Sequence, residues 1–202
     1  MGNGQNHYYS KNPTVASDRD KVQINLRGFP LTFITDAGVF SKHGIDFGSR
    51  LLIETMHIPE AAKVLDVGCG YGPIGICAAM LANRGSVTMI DINERAVRLA
   101  KENAERNGIR NAKVLQSDKY EAVGEEKFDV ILTNPPIRAG KSVVHDIFEG
   151  AVQRLNPGGS LWVVIQKKQG APSAFDKLES LFDSVEEMTK DKGYRIFRAV
   201  KR

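Results

Sequence analysis

From Lys63 onward the chain alternates short apolar runs with segments of helical spacing, a rhythm that few folds accommodate. Val64–Val67, Val87–Ile90, Val114–Gln116, Phe128–Thr133 and Leu161–Ile165 read as strands. Between them Ile74–Leu81 and Asn93–Arg106 read as helices, the second closed by Asn107-Gly108. Val144, Ile147, Phe148, Ala151, Val152 and Leu155 recur on one helical face, and Asn156-Pro157-Gly158-Gly159 ends that helix. Near-continuous apolar strands suit a sheet covered on both faces. A strand–helix repeat joins them into a parallel sheet by right-handed crossovers. A helix around Ala174–Phe182 follows, then Val185–Met188 and Tyr194–Val200, joined near Lys192-Gly193 as an antiparallel pair. Upstream, Val22–Leu26 and Leu31–Thr35 flank Arg27-Gly28-Phe29-Pro30 as a hairpin, and Asp46–Met56 reads as a short helix stopped by Pro59. Residues 1–20 are polar, broken by Pro13, and read as loosely structured. The expected organisation is an extension over residues 1–44, on the substrate side, and a main α/β domain over 45–202.

Ligands of such sheets bind outside the carboxyl ends of the strands. Asp66, Asp91, Asp118 and Asn134 all fall at or just past those ends, a coincidence that packing alone does not explain. Asp66-x-Gly68-x-Gly70-x-Gly72 leaves a strand and enters a helix near Pro73. Its glycines permit a tight turn and close approach of a ligand to backbone. Gly70-x-Gly72-x-x-Gly75 also matches a dinucleotide fingerprint, which would have to begin partly inside the helix. Asp91 can accept both hydroxyls of a ribose or cap the helix that begins at Asn93. Asp118 can accept from an adenine amino group or serve as a turn residue.

The strand Phe128–Thr133 runs into Asn134-Pro135-Pro136-Ile137. Two prolines cannot continue a central strand or enter a helix interior, so the strand stops and leaves an Asn on a stiff backbone. Its amide offers an acceptor and a donor but no proton to surrender. Such a group, beside proline carbonyls, suits gripping the N–H groups of a planar –NH2.

Other chemistries find little support. Gly140-Lys141-Ser142 resembles the end of a phosphate loop, but Pro135 stands where that motif needs Gly; Lys141 fits the start of a helix instead. His43 is isolated, and no hydrolase triad order or metal-binding spacing occurs. The two cysteines, Cys69 and Cys77, have neither knuckle nor redox spacing and read as reduced thiols. No run approaches a membrane span and no secretory signal is visible, so the expected setting is cytoplasmic, without membrane or metal partners. A net charge of +4 tilts mildly toward an anionic partner. Lys190, Lys192, Arg195, Arg198, Lys201 and Arg202 fit nucleic-acid contact or a solvated face equally well.

These residues resemble class I S-adenosylmethionine-dependent methyltransferases. Asp66-x-Gly68-x-Gly70-x-Gly72 looks like their cofactor loop, Asp91 stands where their ribose acid stands, and Asp118 where their adenine contact stands. Asn134-Pro135-Pro136 is similar to the signature of amino-group methylases. Gly38-Val39-Phe40-Ser41 followed by Asp46-x-Gly48-Ser49-x-Leu51-Leu52 narrows the resemblance to the small methyltransferase domain of RsmC-type ribosomal RNA guanine-N2 methyltransferases. The resemblance implies a Rossmann-like, seven-stranded, mostly parallel sheet with helices on both faces and an antiparallel C-terminal strand, preceded by the hairpin. It implies S-adenosyl-L-methionine as cofactor and RNA, ribosomal above all, as partner. Adenine-N6 and protein glutamine amides stay open as acceptors of the same chemistry. Outside it stand an NAD-linked oxidoreductase and a non-enzymatic RNA-binding module. Many relatives carry an aromatic residue where this chain has Ile137, so Phe40 or Phe47 is expected to stack on the base instead. Relatives also often carry a second, cofactor-free copy of the domain. The length here leaves no room for one, so RNA docking is expected from residues 1–60, the basic end or a second subunit, the oligomeric state being open.

Overall fold

The computed structural model describes residues 9–202. Its hairpin consists of β1 (Asp20–Leu26) and β2 (Phe29–Thr35), followed by α1 (Phe47–Thr55). The alternating part then runs β3 (Lys63–Val67), α2 (Pro73–Leu81), β4 (Ser86–Asp91), α3 (Glu94–Arg106), β5 (Ala112–Gln116), β6 (Phe128–Thr133), α4 (Lys141–Arg154), β7 (Leu155–Gln166) and α5 (Ala171–Leu181). It closes with β8 (Ser184–Asp191) and β9 (Tyr194–Val200). The seven later strands form one sheet in the order β5-β4-β3-β6-β7-β9-β8. Neighbours from β5 to β7 pair in parallel, while β9 lies antiparallel between β7 and β8. The expected Rossmann-like sheet with a reversed C-terminal strand is therefore present.

Strand periodicity sorts the apolar side chains between two cores. Val64, Met89, Val130, Leu132 and Trp162 face one layer with α1, α2, α3 and the hairpin. Leu65, Val67, Ile90, Ile131 and Val163 face the other with α4 and α5. The hairpin is no loose appendage, because Leu26, Leu31, Phe33 and Ile34 belong to the first core. Its attachment to α3 is polar as well. The Asn103 amide accepts from Ile34 N–H (2.8 Å) and donates to Ile34 C=O (2.9 Å). One helical turn on, Asn107 does the same for Thr32 (3.0 and 2.9 Å). Two side chains spaced i, i+4 thus satisfy the β2 backbone as a neighbouring strand would. Asn103 also donates to Tyr71 C=O (2.8 Å), tying the hairpin to the segment after β3.

Three local expectations need correction. The hairpin turns in two residues rather than four, because Arg27 and Gly28 both adopt positive φ (51° and 81°) and the pairing resumes at once with Leu26 opposite Phe29. The segment Asn156–Gly159 is absorbed into β7 as an irregularity: Leu155 pairs with Phe128, the register shifts, and Ser160 pairs with Val130. Residues 9–19 have no regular structure but are tied down. The Glu94 N–H donates to Lys11 C=O, Arg95 reaches Val15 C=O, and Asp36 accepts from Ser17 and the Asp18 N–H. The rest of that polar stretch lies outside the described residues. Among those described, no helix is long and apolar enough to cross a membrane.

Candidate active site

The carboxyl ends of β3, β4, β5 and β6 open into one shared cavity. It sits where the sheet order reverses beside β3, the position at which open α/β sheets bind ligands. Its floor is the bend after β3. Gly68 and Gly70 adopt φ of 74° and 57°, and a Cβ at either would meet nothing within 4 Å. Backbone conformation therefore calls for glycine there, and the space above both residues belongs to the cavity. The N–H groups of Gly68 and Cys69 both donate to Ile90 C=O (2.9 and 3.0 Å), locking the bend to β4. Gly72 lies below, at φ 109°, as the N-cap of α2, and Gly75 lies inside that helix. A Cβ at Gly75 would come within 2.4 Å of Met89, so this glycine permits helix–strand contact.

Asp91, at the end of β4, lines the cavity. Its Oδ2 accepts from Gly70 N–H and its Oδ1 from Asn93 N–H, each at 2.8 Å. Burial lifts its carboxyl to about 6 against the pull of the Asn93, Gly70 and Ile92 N–H groups, so it is ionised at neutral pH. Each oxygen keeps acceptor capacity for a pair of hydroxyls. The capping role considered for Asp91 falls to Asn93, whose Oδ1 accepts from Ala96 N–H.

Asp66 is wholly buried behind the bend and does not line the cavity. Among the described residues its two carboxyl oxygens and the Tyr71 hydroxyl are the buried side-chain atoms without a hydrogen-bond partner. Burial pushes Asp66 up from 3.8 to about 8; the Gly75 N–H opposes this without a well-formed bond, and the Asp91 charge adds to it. Between those values the folded chain keeps a proton that the unfolded chain releases. Stability is therefore lost as pH rises from about 4 toward 8, by about 1.4 kcal/mol per unit, and levels off above. The melting temperature of the ligand-free protein is expected to fall between pH 6 and pH 8. Asp66→Asn is expected to flatten that slope and to melt higher than the wild type at pH 8. Equal slopes in thermal melts of the two proteins would show that Asp66 does not titrate there.

Of the other expected residues, Asp118 is exposed and lies outside the cavity wall, although its neighbours Ser117 and Lys119 line it. Phe47 packs on Tyr194 (ring centroids 5.7 Å apart) with Lys192 above it, and lines neither cavity of this region. Phe40 lines both, and Ile137 only the second. Tyr9, Tyr71 and Lys119 line the first without having been singled out from sequence.

Asn134 stands where the two cavities meet, and Pro135 beside it is shared by both walls. Its Nδ2 donates to Ser49 Oγ (2.9 Å) and to Asp46 Oδ2 (3.3 Å). A carboxylate can only accept, so this contact fixes which way the amide points. Asp46 is itself held as the N-cap of α1, accepting from Ser49 N–H (3.0 Å). Oδ1 is left as a free-facing acceptor, since no group among the described residues donates to it. The Pro135 carbonyl accepts from Ile137 N–H (2.9 Å) and keeps one lone pair. The second cavity opens beyond, walled by Phe40, Ile137, Arg138, Gln169 and Tyr194 among others. The cap of α1 had a sequence signal, the Asp46-x-x-Ser49 spacing; the tether of that cap to Asn134 had none, nor had Tyr194, more than fifty residues beyond Asn134 in the chain.

Residues 30–198 match a family model described as the methyltransferase small domain. The chain is 55% identical over 197 residues to an uncharacterized protein of Bacillus subtilis, YbxB, covering 96% of this chain and 98% of that one. It is 32% identical over 194 residues to ribosomal RNA small subunit methyltransferase C of Escherichia fergusonii, covering 94% of this chain and 54% of the other. Among solved structures it is similar to the T. thermophilus 16S rRNA N2 G1207 methyltransferase RsmC in complex with AdoMet and guanosine. The TM-score is 0.82 at 28% identity, covering 94% of this chain and 52% of that one. The chain thus spans about half the length of these two rRNA methyltransferases.

Proposed function

The chain belongs to the methyltransferase small domain family, and on that premise we propose that it methylates an exocyclic amino group of a nucleic-acid base, guanine-N2 of ribosomal RNA, in the cytoplasm. The cofactor is S-adenosyl-L-methionine. The cavity fits it: an open glycine bend, a pre-oriented Asp91 carboxylate and apolar walls from Val67, Ile90 and Ile92 suit a nucleoside with a charged tail. When bound, it supplies a methyl group on a sulfonium centre. Asp91 would hold the ribose hydroxyls, the Gly68–Gly70 backbone would carry the amino-acid end, and Ser117 and Lys119, which flank the exposed Asp118, would border the base.

The observation that carries the reading is the tethered Asn134 amide between two cavities. An exocyclic –NH2 is a poor nucleophile because its lone pair is delocalised into the ring. Asn134 Oδ1 and the remaining lone pair of Pro135 C=O would accept its two N–H groups. That holds the nitrogen in line with the methyl group and stabilises positive charge as it grows. No strong base is needed beforehand, since the methylated nitrogen is acidic enough to lose a proton to water. Val39, Pro135 and Pro136, all buried, keep bulk water from the junction.

The acceptor side supports RNA. Tyr194 and Phe40 border the second cavity and offer stacking surface where Ile137 offers none. Lys167 N–H donates to Gly193 C=O (2.7 Å), which brings the turn carrying Lys192 beside Lys167 and Lys168. Arg138, in the wall of the second cavity, would meet a phosphate there, with those lysines as further basic groups of the same side. Residues 38–41 line the second cavity, which supports reading residues 1–44 as a substrate-side extension.

Labelled methyl transfer from S-adenosylmethionine to RNA from cells lacking the protein tests the reading, followed by nucleoside mass analysis. The expected product is N2-methylguanosine. N6-methyladenosine, or label that enters only a protein glutamine, would overturn the guanine assignment.

A further inference from the structure

Residues 9–19 cross the N-terminal end of α3 and end at the mouth of the first cavity. The crossing is held by polar contacts to backbone and by side-chain pairs, among them Arg19 with Glu102 and Asp18 with Lys42. Glu94 N–H donates to Lys11 C=O (3.0 Å), Arg95 donates to Val15 C=O (2.8 Å), and Asp36 accepts from Ser17 Oγ (2.7 Å) and Asp18 N–H (2.6 Å). Most of these residues are exposed, so the segment buries little apolar surface and can lift at small cost. Tyr9, at its described end, is different: its ring is half-buried and forms part of the cavity wall with Asp91, Ser117 and Lys119. Burial raises its hydroxyl, followed by the charge of Asp118, with Lys119 opposing. The ring therefore sits between the ends of β4 and β5, over the part of the cavity where a nucleoside base would lie beyond Asp91. The anchor on Glu94 is three residues past Asp91, so the strap is fastened to the same strand end that would hold the ribose.

We propose that residues 9–19 form a strap that closes the cavity over the nucleoside end of the cofactor, with the Tyr9 ring as the face that covers the adenine. This rests on the reading of the cavity as the seat of S-adenosylmethionine. Stacking of a base on an aromatic ring tolerates loss of the hydroxyl but not of the ring. Titration calorimetry of S-adenosylhomocysteine and of adenosine against the wild type, Tyr9→Phe and Tyr9→Ala separates the possibilities. Tyr9→Ala is expected to weaken both ligands about tenfold, and Tyr9→Phe to stay within about twofold, with melting temperatures of the ligand-free proteins unchanged. S-adenosylhomocysteine is also expected to slow tryptic cleavage after Lys11 several-fold in the wild type and not in Tyr9→Ala. Equal affinities across the three proteins, or cleavage indifferent to ligand, would overturn the strap alone. No binding of S-adenosylhomocysteine by the wild type would overturn the cofactor reading and the strap with it.

Discussion

Asn134→Ala is expected to lower the rate of methyl transfer about 10²- to 10³-fold while leaving S-adenosylhomocysteine affinity within about threefold. The size of the effect follows from what the amide does. A preorganised acceptor aimed at charge that develops during transfer is worth far more than the same group in water, because nothing has to reorganise as the reaction proceeds. Here preorganisation has a visible cause. Nδ2 is held by Ser49 and Asp46, and Asp46 is held by the first turn of α1. Truncation removes the acceptor and leaves the helix cap in place, so the fold is expected to melt at its usual temperature. Single-turnover rates with saturating RNA, beside calorimetric affinities for S-adenosylhomocysteine, check this. A rate within tenfold of wild type would remove Asn134 from the chemistry.

Asn103→Ala is expected to cost the fold about 3 kcal/mol, since each buried polar group left unpaired costs about 1–3 kcal/mol and three lose their partner. These are Ile34 N–H, Ile34 C=O and Tyr71 C=O. Asn103 itself is fully buried, so water does not readily take its place. For a chain of this length the melting temperature should drop by about 6–12 °C. Asn103→Asp should fare no better despite its shape, because it turns a donor facing two carbonyls into an acceptor. Chemical denaturation of both variants measures the loss. A change below about 1 kcal/mol would mean that β2 finds other partners. Tyr71 belongs to the glycine bend, so cofactor affinity should weaken in parallel.

The parts of this molecule legible in the sequence are those written in local periodicity. Each expected strand and helix from Lys63 to Val200 is present, because apolar runs bounded by Gly, Pro and Asn report burial and chain reversal within a few residues. The functional edge was legible for the same reason: a polar residue at the end of an apolar strand is a local signal, and Asp91 and Asn134 both line the cavity. What escaped depends on distant partners or on backbone conformation. Asp66 and Asp118 look like Asp91 in sequence, yet Asp66 sits one residue short of the end of β3, buried behind the bend, while Asp118 lies two residues past the end of β5 and is exposed; depth along the strand, which no short pattern reports, separates the three. Arg27 gave no hint that it would accept positive φ and shorten the hairpin turn. The contact between Asp46 and Asn134 joins residues 88 apart, beyond the reach of any pattern in a short window.

The position of β9 bears on how the chain is made. The final strand does not add to the rim of the sheet but slots between two that precede it, pairing with β7 on one side and β8 on the other. Until β9 has emerged from the ribosome, β7 has an open flank and β8 lacks the strand it pairs with. Completing the sheet is therefore an insertion between two strands made earlier, not an addition at its rim.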